Sequence, residues 1–118
     1  AIERTVKYLL ANYKIASAIG KSYGFEVIVI LQPYLNPNNK ILQDYERRML
    51  SSGRNIIDAT YAELRKVIKL RTYSKIYDLS DIFKKACEPI YIDWVHLGPK
   101  GNHWIAEKIV EILRKEGY

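Results

Sequence analysis

The sequence predicts one α/β domain built around a parallel sheet, spanning residues 1–118. Helical and extended segments alternate in the order α-β-α-α-β-α-(β)-α, and the first extended segment, residues 25–31, is β-branched and almost wholly apolar. Strands separated by helices imply right-handed crossovers and parallel pairing. A continuous apolar run is typical of a strand that helices bury on both faces.

The first half of the chain contains one predicted strand and three predicted helices. Apolar residues recur at intervals of three and four over residues 2–22, and Gly24 is a stop signal for that helix. The asparagine- and proline-rich residues 34–40 predict a loop after the strand. Beyond the loop, helical periodicity resumes over residues 41–50 and 55–70.

The second half contains shorter elements. Ser80 suits the N-cap of one helix, and Pro99 suits the first turn of another. In order, we expect a strand at residues 75–79, a helix at 81–86, an extended run at 89–92 and a helix at 99–115. Two or three strands make a thin sheet with exposed edges. This thinness, and a start at Ala1 rather than Met, lead us to expect a partial domain with upstream sequence.

Composition narrows the function classes. The chain has a net charge of +6 and one cysteine, which excludes an internal disulfide. A local excess of positive charge near Arg65, Lys69 and Arg71 makes nucleic-acid binding an alternative. We favour a solvated helix face instead, because no nucleic-acid-binding motif accompanies these residues.

Several features bear on location and origin. No apolar run approaches the roughly 20 residues of a membrane span. The first residues predict an amphipathic helix rather than a signal peptide, which favours a cytoplasmic location without determining it. Few glutamine, methionine and cysteine residues beside abundant isoleucine, lysine and glutamate are typical of a thermophile.

The most informative motif is Asp-Trp-Val-His at residues 93–96, between the last extended run and the final helix. An aspartate that accepts a hydrogen bond from one ring nitrogen holds an imidazole in one tautomer and stabilises the imidazolium. The other nitrogen can then take a proton from a serine hydroxyl. Asp93 and His96 are therefore the candidate acid and base of an acyl-transfer site. A turn-capping Asp93 beside a space-filling His96 is the structural alternative.

The longer context resembles the C-terminal part of SGNH (GDSL-type) hydrolases. The resemblance is carried by Asp78-Leu79-Ser80-Asp81-Ile82-Phe83, by residues 91–97 and by Gly101-Asn102-x-x-Ile105-Ala106-Glu107-Lys108-Ile109. It implies a flavodoxin-like three-layer α/β/α sandwich and a serine esterase or acyl hydrolase, with Asp93 and His96 matching the triad acid and base. An acylated small molecule or a carbohydrate ester is the substrate that it implies.

The chain departs from that family at the nucleophile, because neither a Gly-Asp-Ser triplet nor the oxyanion-hole blocks occur in it. Ser51 and Ser52 fall in a loop, and Ser80 has a ready role as an N-cap. We therefore expect the nucleophile to come from sequence or a chain outside these residues. A non-catalytic α/β binding or structural module is the main alternative.

Two further residues are candidates for substrate contact. Gln32 and Tyr34 begin the loop that leaves the sheet edge where we expect His96. We expect no cofactor and no metal, because a site made of Asp93, His96 and His103 lacks a fourth ligand. We also expect no membrane partner, and Gly101 should let the last helix pass close to neighbouring structure.

Overall fold

The computed structural model describes the chain except for Ser51, Thr72 and Ser74 and the side chains of residues 70 and 71. Within the described part, 53% of the chain is helical. The elements are α1 (Ile2–Tyr23), β1 (Val29–Leu31), α2 (Asp44–Arg48), α3 (Arg54–Arg71), β2 (Ile76–Asp78) and α4 (Pro99–Lys115). None of the described helices is long and apolar enough to cross a bilayer.

The chain divides into two compact units. The first unit contains Ala1–Leu31 and Ser52–Asp78, and the second contains Gln32–Ser51 and Leu79–Tyr118. The first unit therefore holds α1, α3 and both strands, whereas the second holds α2, α4 and the segment with the Asp-x-x-His motif.

In the first unit, α1 and α3 pack against each other and against the strands. Its core contains Val6, Leu10, Leu31, Leu64 and Ile76, all of them buried. The predicted stop of α1 is confirmed, because Gly24 caps the helix with a φ of 79°, and its N–H donates to the carbonyl of Gly20. A left-handed conformation of this kind favours glycine, which lacks a Cβ.

The sheet of the first unit contradicts the predicted fold class. Among the described residues, β1 pairs only with β2, in parallel, and each strand has three residues. So small a sheet cannot form the middle layer of a three-layer sandwich, and the flavodoxin-like α/β/α prediction is wrong. The predicted strand at residues 25–31 is shortened because pairing starts at Val29, whose N–H donates to the Lys75 carbonyl at 2.9 Å.

The third predicted strand, at residues 89–92, does not join the sheet. The N–H groups of Ile90 and Tyr91 donate to the Glu46 carboxylate, and that of Ile92 donates to the His96 carbonyl. A parallel strand needs such donors for its ladder. Because these donors have local acceptors, the segment folds back on its own continuation.

The helix predictions are partly confirmed. The first, third and last predicted helices are present as α1, α3 and α4, and Pro99 occupies the first turn of α4 as expected. The helix predicted over residues 41–50 is shorter in the structure and spans Asp44–Arg48. It begins after Gln43 because the Gln43 N–H donates to the Glu46 carboxylate and not to a backbone carbonyl of a preceding helical turn. The helix predicted over residues 81–86 is a run of turns.

The second unit has its own apolar core. Leu35, Leu42, Phe83, Ala86, Ile90 and Tyr91 are buried in it, and Leu97, Trp104 and Ile105 are among the half-buried residues around them. The rings of Phe83 and Tyr91 meet edge-on with their centroids 5.8 Å apart. Leu35 and Leu42 bring the predicted loop and the residues just before α2 into this core.

A buried ion pair lies beside that core. Lys40 Nζ is 2.8 Å from Glu46 Oε2, and the exposed fractions of the two side chains are 1% and 0%. Lys40 Nζ also donates to the Ile41 carbonyl at 2.8 Å. Glu46 Oε1 accepts hydrogen bonds from the amides of Ile90 and Tyr91 at 2.9 Å and 3.3 Å.

These hydrogen bonds keep Glu46 ionised. Burial by itself would raise the pKa of the Glu46 carboxyl, because it penalises the charged form. The hydrogen bonds outweigh burial and hold this pKa below its ordinary value; the donors are the Ile90 amide, the Lys40 ammonium and the amides of Gln43 and Tyr91. The carboxylate thus joins residues 40–46 to residues 90–91.

We expect Glu46→Gln to lower the free energy of unfolding by about 3–5 kcal/mol, because it leaves the Lys40 charge buried without its partner. Lys40→Met should lower the free energy of unfolding by less, because the backbone amides of Gln43, Ile90 and Tyr91 still donate to the Glu46 carboxylate. Urea unfolding followed by circular dichroism measures both.

Asp44→Asn is the matched control, because Asp44 is exposed on the same helix. It should change the stability by less than about 0.5 kcal/mol. The stabilisation by ionised Glu46 is fully present above the pKa of an unfolded glutamate, about 4.3. It is lost as the pH falls through the lower pKa of the folded state, and Glu46→Gln should remove this acid sensitivity. Equal stability of the Glu46→Gln and Asp44→Asn variants would contradict the role of the pair.

Candidate active site

Asp93 and His96 lie in a tight hairpin formed by residues 90–98. Tyr91 and Leu97 form an antiparallel bridge. The Gly98 N–H donates to the Ile90 carbonyl at 2.7 Å, and the Ile92 N–H donates to the His96 carbonyl at 2.9 Å. This pairing places Ile92 opposite His96, with Asp93, Trp94 and Val95 in the connecting turn.

The Asp93 carboxylate organises that turn. Its Oδ1 accepts hydrogen bonds from the backbone N–H groups of Val95 at 2.8 Å and His96 at 2.7 Å. An aspartate that bonds the backbone two residues ahead is the usual basis of an Asx turn. Its Oδ2 lies 2.6 Å from Nδ1 of His96. One carboxylate therefore holds both the backbone and the imidazole of His96.

The pairing determines which ring nitrogen can act as a base. An ionised carboxylate only accepts hydrogen bonds, so Nδ1 of neutral His96 carries the proton and Nε2 has the lone pair. The His96 side chain is 72% exposed. Within the described residues its Nε2 has no hydrogen-bond partner. The imidazole is therefore open to solvent.

Hydrogen bonding stabilises the charged form of Asp93. The amides of His96 and Val95, followed by the imidazole of His96, lower the pKa of the Asp93 carboxyl to about 2. The Asp93 carboxyl is therefore ionised at neutral pH.

Apolar side chains flank the pair. Ile92, opposite His96 in the hairpin, is 63% exposed, and Trp94 in the turn is 38% exposed. The Leu35 N–H donates to the Trp94 carbonyl at 2.9 Å, which ties the predicted loop to this turn. Trp94 is therefore held in the turn by its backbone while part of the residue stays open to solvent.

The other predicted site residues are placed differently. Gln32 is exposed, whereas Tyr34 is 3% exposed and its hydroxyl accepts a hydrogen bond from Asn36 at 3.3 Å. Ser80 is 1% exposed, which leaves little of it open to a substrate. Ser52 belongs to the first unit, and Ser51 lies outside the described residues.

Close approach of the last helix to the hairpin is confirmed. Gly101 is buried, and a Cβ at this position would lie 2.8 Å from Cγ2 of Ile90 and 3.1 Å from Cβ of Leu97. A distance of 2.8 Å is shorter than carbon atoms tolerate without a shift of structure. Glycine thus lets α4 support the two arms of the hairpin.

His103 is not part of the Asp93–His96 pair. It lies on α4, and its Nε2 is 3.3 Å from the Glu107 carboxylate. Among the residues that the structure describes, no three His, Cys, Asp or Glu side chains are grouped so as to hold a metal ion.

The residues that the sequence analysis missed are Lys40 and Glu46. The sequence pattern placed Lys40 in the predicted loop and Glu46 in the predicted helix, and it indicated no interaction for either side chain. A glutamate at the third position of a helix commonly accepts the N–H of the capping residue, and Gln43-x-x-Glu46 has that spacing. A glutamine in place of the usual serine or threonine concealed this signal.

Comparison with known proteins assigns no family to the chain. No protein-family model, no curated protein and no solved structure matches it.

We expect the Asp93 carboxyl carbon to titrate with a pKa of about 2 in a ¹³C NMR experiment. In His96→Ala the pKa should stay below its ordinary value, because the backbone amides of residues 96 and 95 remain as donors. A value near 3.9, the ordinary one for aspartate, in the unsubstituted chain would contradict the geometry of the turn.

Proposed function

We propose that Asp93 and His96 form the acid–base pair of an acyl-ester hydrolase. His96 is the general base that takes a proton from a nucleophilic hydroxyl and returns it to the leaving group. Asp93 orients the imidazole and stabilises its protonated form. The observation that carries this proposal is the 2.6 Å contact between Asp93 Oδ2 and His96 Nδ1, in an imidazole side chain that is 72% exposed.

The proposal does not depend on the three-layer fold, which the chain lacks. It depends on a local turn that supplies the histidine of a triad with its tautomer and its direction. The likeness of residues 91–97 and 101–109 to SGNH hydrolases supports the same assignment. In that comparison Asp93 and His96 take the places of the acid and the base.

The nucleophile and the oxyanion donors belong to sequence or a chain outside these 118 residues. The supporting observations are the absence of a Gly-Asp-Ser triplet and the burial of Ser80. A base in a triad needs its serine within hydrogen-bond reach. The exposed imidazole of His96 is open to such a partner.

The proposed substrate is an acylated small molecule or a carbohydrate ester. Ile92 and Trp94 supply exposed apolar surface in the hairpin that carries the pair. Such surface favours contact with an acyl chain or a sugar ring rather than with a charged group.

The basic stretch of α3 gives less support to the nucleic-acid alternative. Arg65 Nε lies 2.6 Å from the Asp78 carboxylate, and its guanidinium lies over the Tyr61 ring. Arg54 and Lys66 are near Asp58 and Glu63 on the same helix. Partners of this kind reduce the positive charge available to phosphates.

His96→Ala tests the proposal in the gene product as encoded, together with any adjoining sequence. Hydrolysis of p-nitrophenyl acetate should fall by about 10²–10⁴-fold, because the general base is lost. Asp93→Asn should also lower kcat strongly, since it removes the acceptor that selects the tautomer.

His103→Ala is the matched control, because it removes an exposed histidine that is paired with Glu107. It should leave the rate unchanged. A fluorophosphonate should label a serine outside residues 1–118, more slowly in His96→Ala. Equal rates for the two histidine variants would contradict the proposal, and so would an unlabelled protein, which would favour a non-catalytic binding module.

A further inference from the structure

A basic pocket lies in the second unit, formed by the loop before α2, by α2 itself and by the turns after β2. Its volume is about 300 Å³, and it is lined by Pro37, Asn38, Lys40, Ile41, Leu42, Arg47 and Lys84. None of these lining residues is acidic. Three are cations and three are apolar, so the pocket combines positive charge with an apolar surface.

Two of the cations have no ion-pair partner among the described residues. Arg47 and Lys84 form no ion pair or hydrogen bond through their side chains with any described residue. They come from different segments, α2 and the turns at residues 79–86, which the fold of the second unit brings to one pocket. The Lys40 charge is balanced by Glu46 at 2.8 Å. The net charge of the lining is therefore set by Arg47 and Lys84, and it matches a dianion.

Lys40 adds a donor inside the pocket wall. Its side chain is 1% exposed, and its ammonium donates to Glu46 Oε2 and to the Ile41 carbonyl. An ammonium has three N–H donors. The third has no acceptor among the residues that the structure describes. A ligand oxygen that approaches Nζ from the pocket would accept this third hydrogen bond.

We propose that this pocket binds the dianionic phosphate group of a small organic phosphate monoester. Arg47 and Lys84 supply the charge, and Lys40 and the side-chain amide of Asn38 supply further donors. Guanidinium and ammonium groups bind phosphate oxygens through charge-assisted hydrogen bonds. Pro37, Ile41 and Leu42 give the organic group of the ester an apolar surface. The inference is independent of the esterase proposal, because it uses none of its residues.

The test is an NMR titration of the whole chain with phenyl phosphate, following the backbone amides of residues 38, 42, 47 and 84. Arg47→Ala and Lys84→Ala should each weaken binding about fivefold, and the double variant about twenty-five-fold if the two contributions add. Inorganic phosphate should shift the same amides but bind more weakly, because it lacks the organic group. Phenol, which lacks the charge, should not shift them.

Arg48→Ala and Lys85→Ala are matched controls. Each removes the same charge from the neighbouring position, and both residues are exposed and outside the pocket lining. They should weaken binding by less than about twofold. Equal losses in the control and pocket variants would overturn the proposal, because they would indicate attraction to net charge alone. Unchanged amide signals with phenyl phosphate would overturn it as well. If inorganic phosphate bound as tightly as phenyl phosphate, the proposed contact between the organic group and the apolar lining would be wrong.

Discussion

The second unit depends on one buried carboxylate. Glu46 accepts hydrogen bonds from the Lys40 ammonium and from backbone amides on both sides of the core, at Gln43 and at Ile90. Its side chain is fully buried, so each of these bonds forms where water cannot replace it. The donors come from segments more than forty positions apart. The carboxylate therefore joins distant segments of the unit, as hydrogen bonds between strands do in a sheet.

The same interaction is connected to both proposed sites of the unit. On one side it holds residues 90 and 91, from which the hairpin with Asp93 and His96 begins. On the other it holds Lys40 in the wall of the basic pocket. The hairpin then needs only local bonds to orient the imidazole, because the Asp93 carboxylate binds both the backbone and the ring of His96. A buried charge thus supports the hairpin that carries the exposed imidazole.

Elements that depend on residues close together in the sequence were predicted better than elements that depend on distant partners. The long helices α1, α3 and α4 were predicted because apolar periodicity and end signals such as Gly24 act within one segment. The third strand was predicted wrongly because extended propensity does not specify a partner, and the amides of residues 90 and 91 bond to Glu46 instead of a neighbouring strand. The burial of Tyr34 could not be predicted from the sequence either, because it depends on how the loop packs in the folded unit.

By itself the sequence determined the three long helices and marked Asp93 and His96 as candidate partners, because apolar periodicity and a three-residue spacing in a turn are local features. Only the tertiary structure decided the size of the sheet, the buried Lys40–Glu46 pair and the meeting of Arg47 with Lys84 at one pocket. The physical reason is that these features join groups distant along the chain. Their free energy depends on desolvation and on the partners that folding supplies.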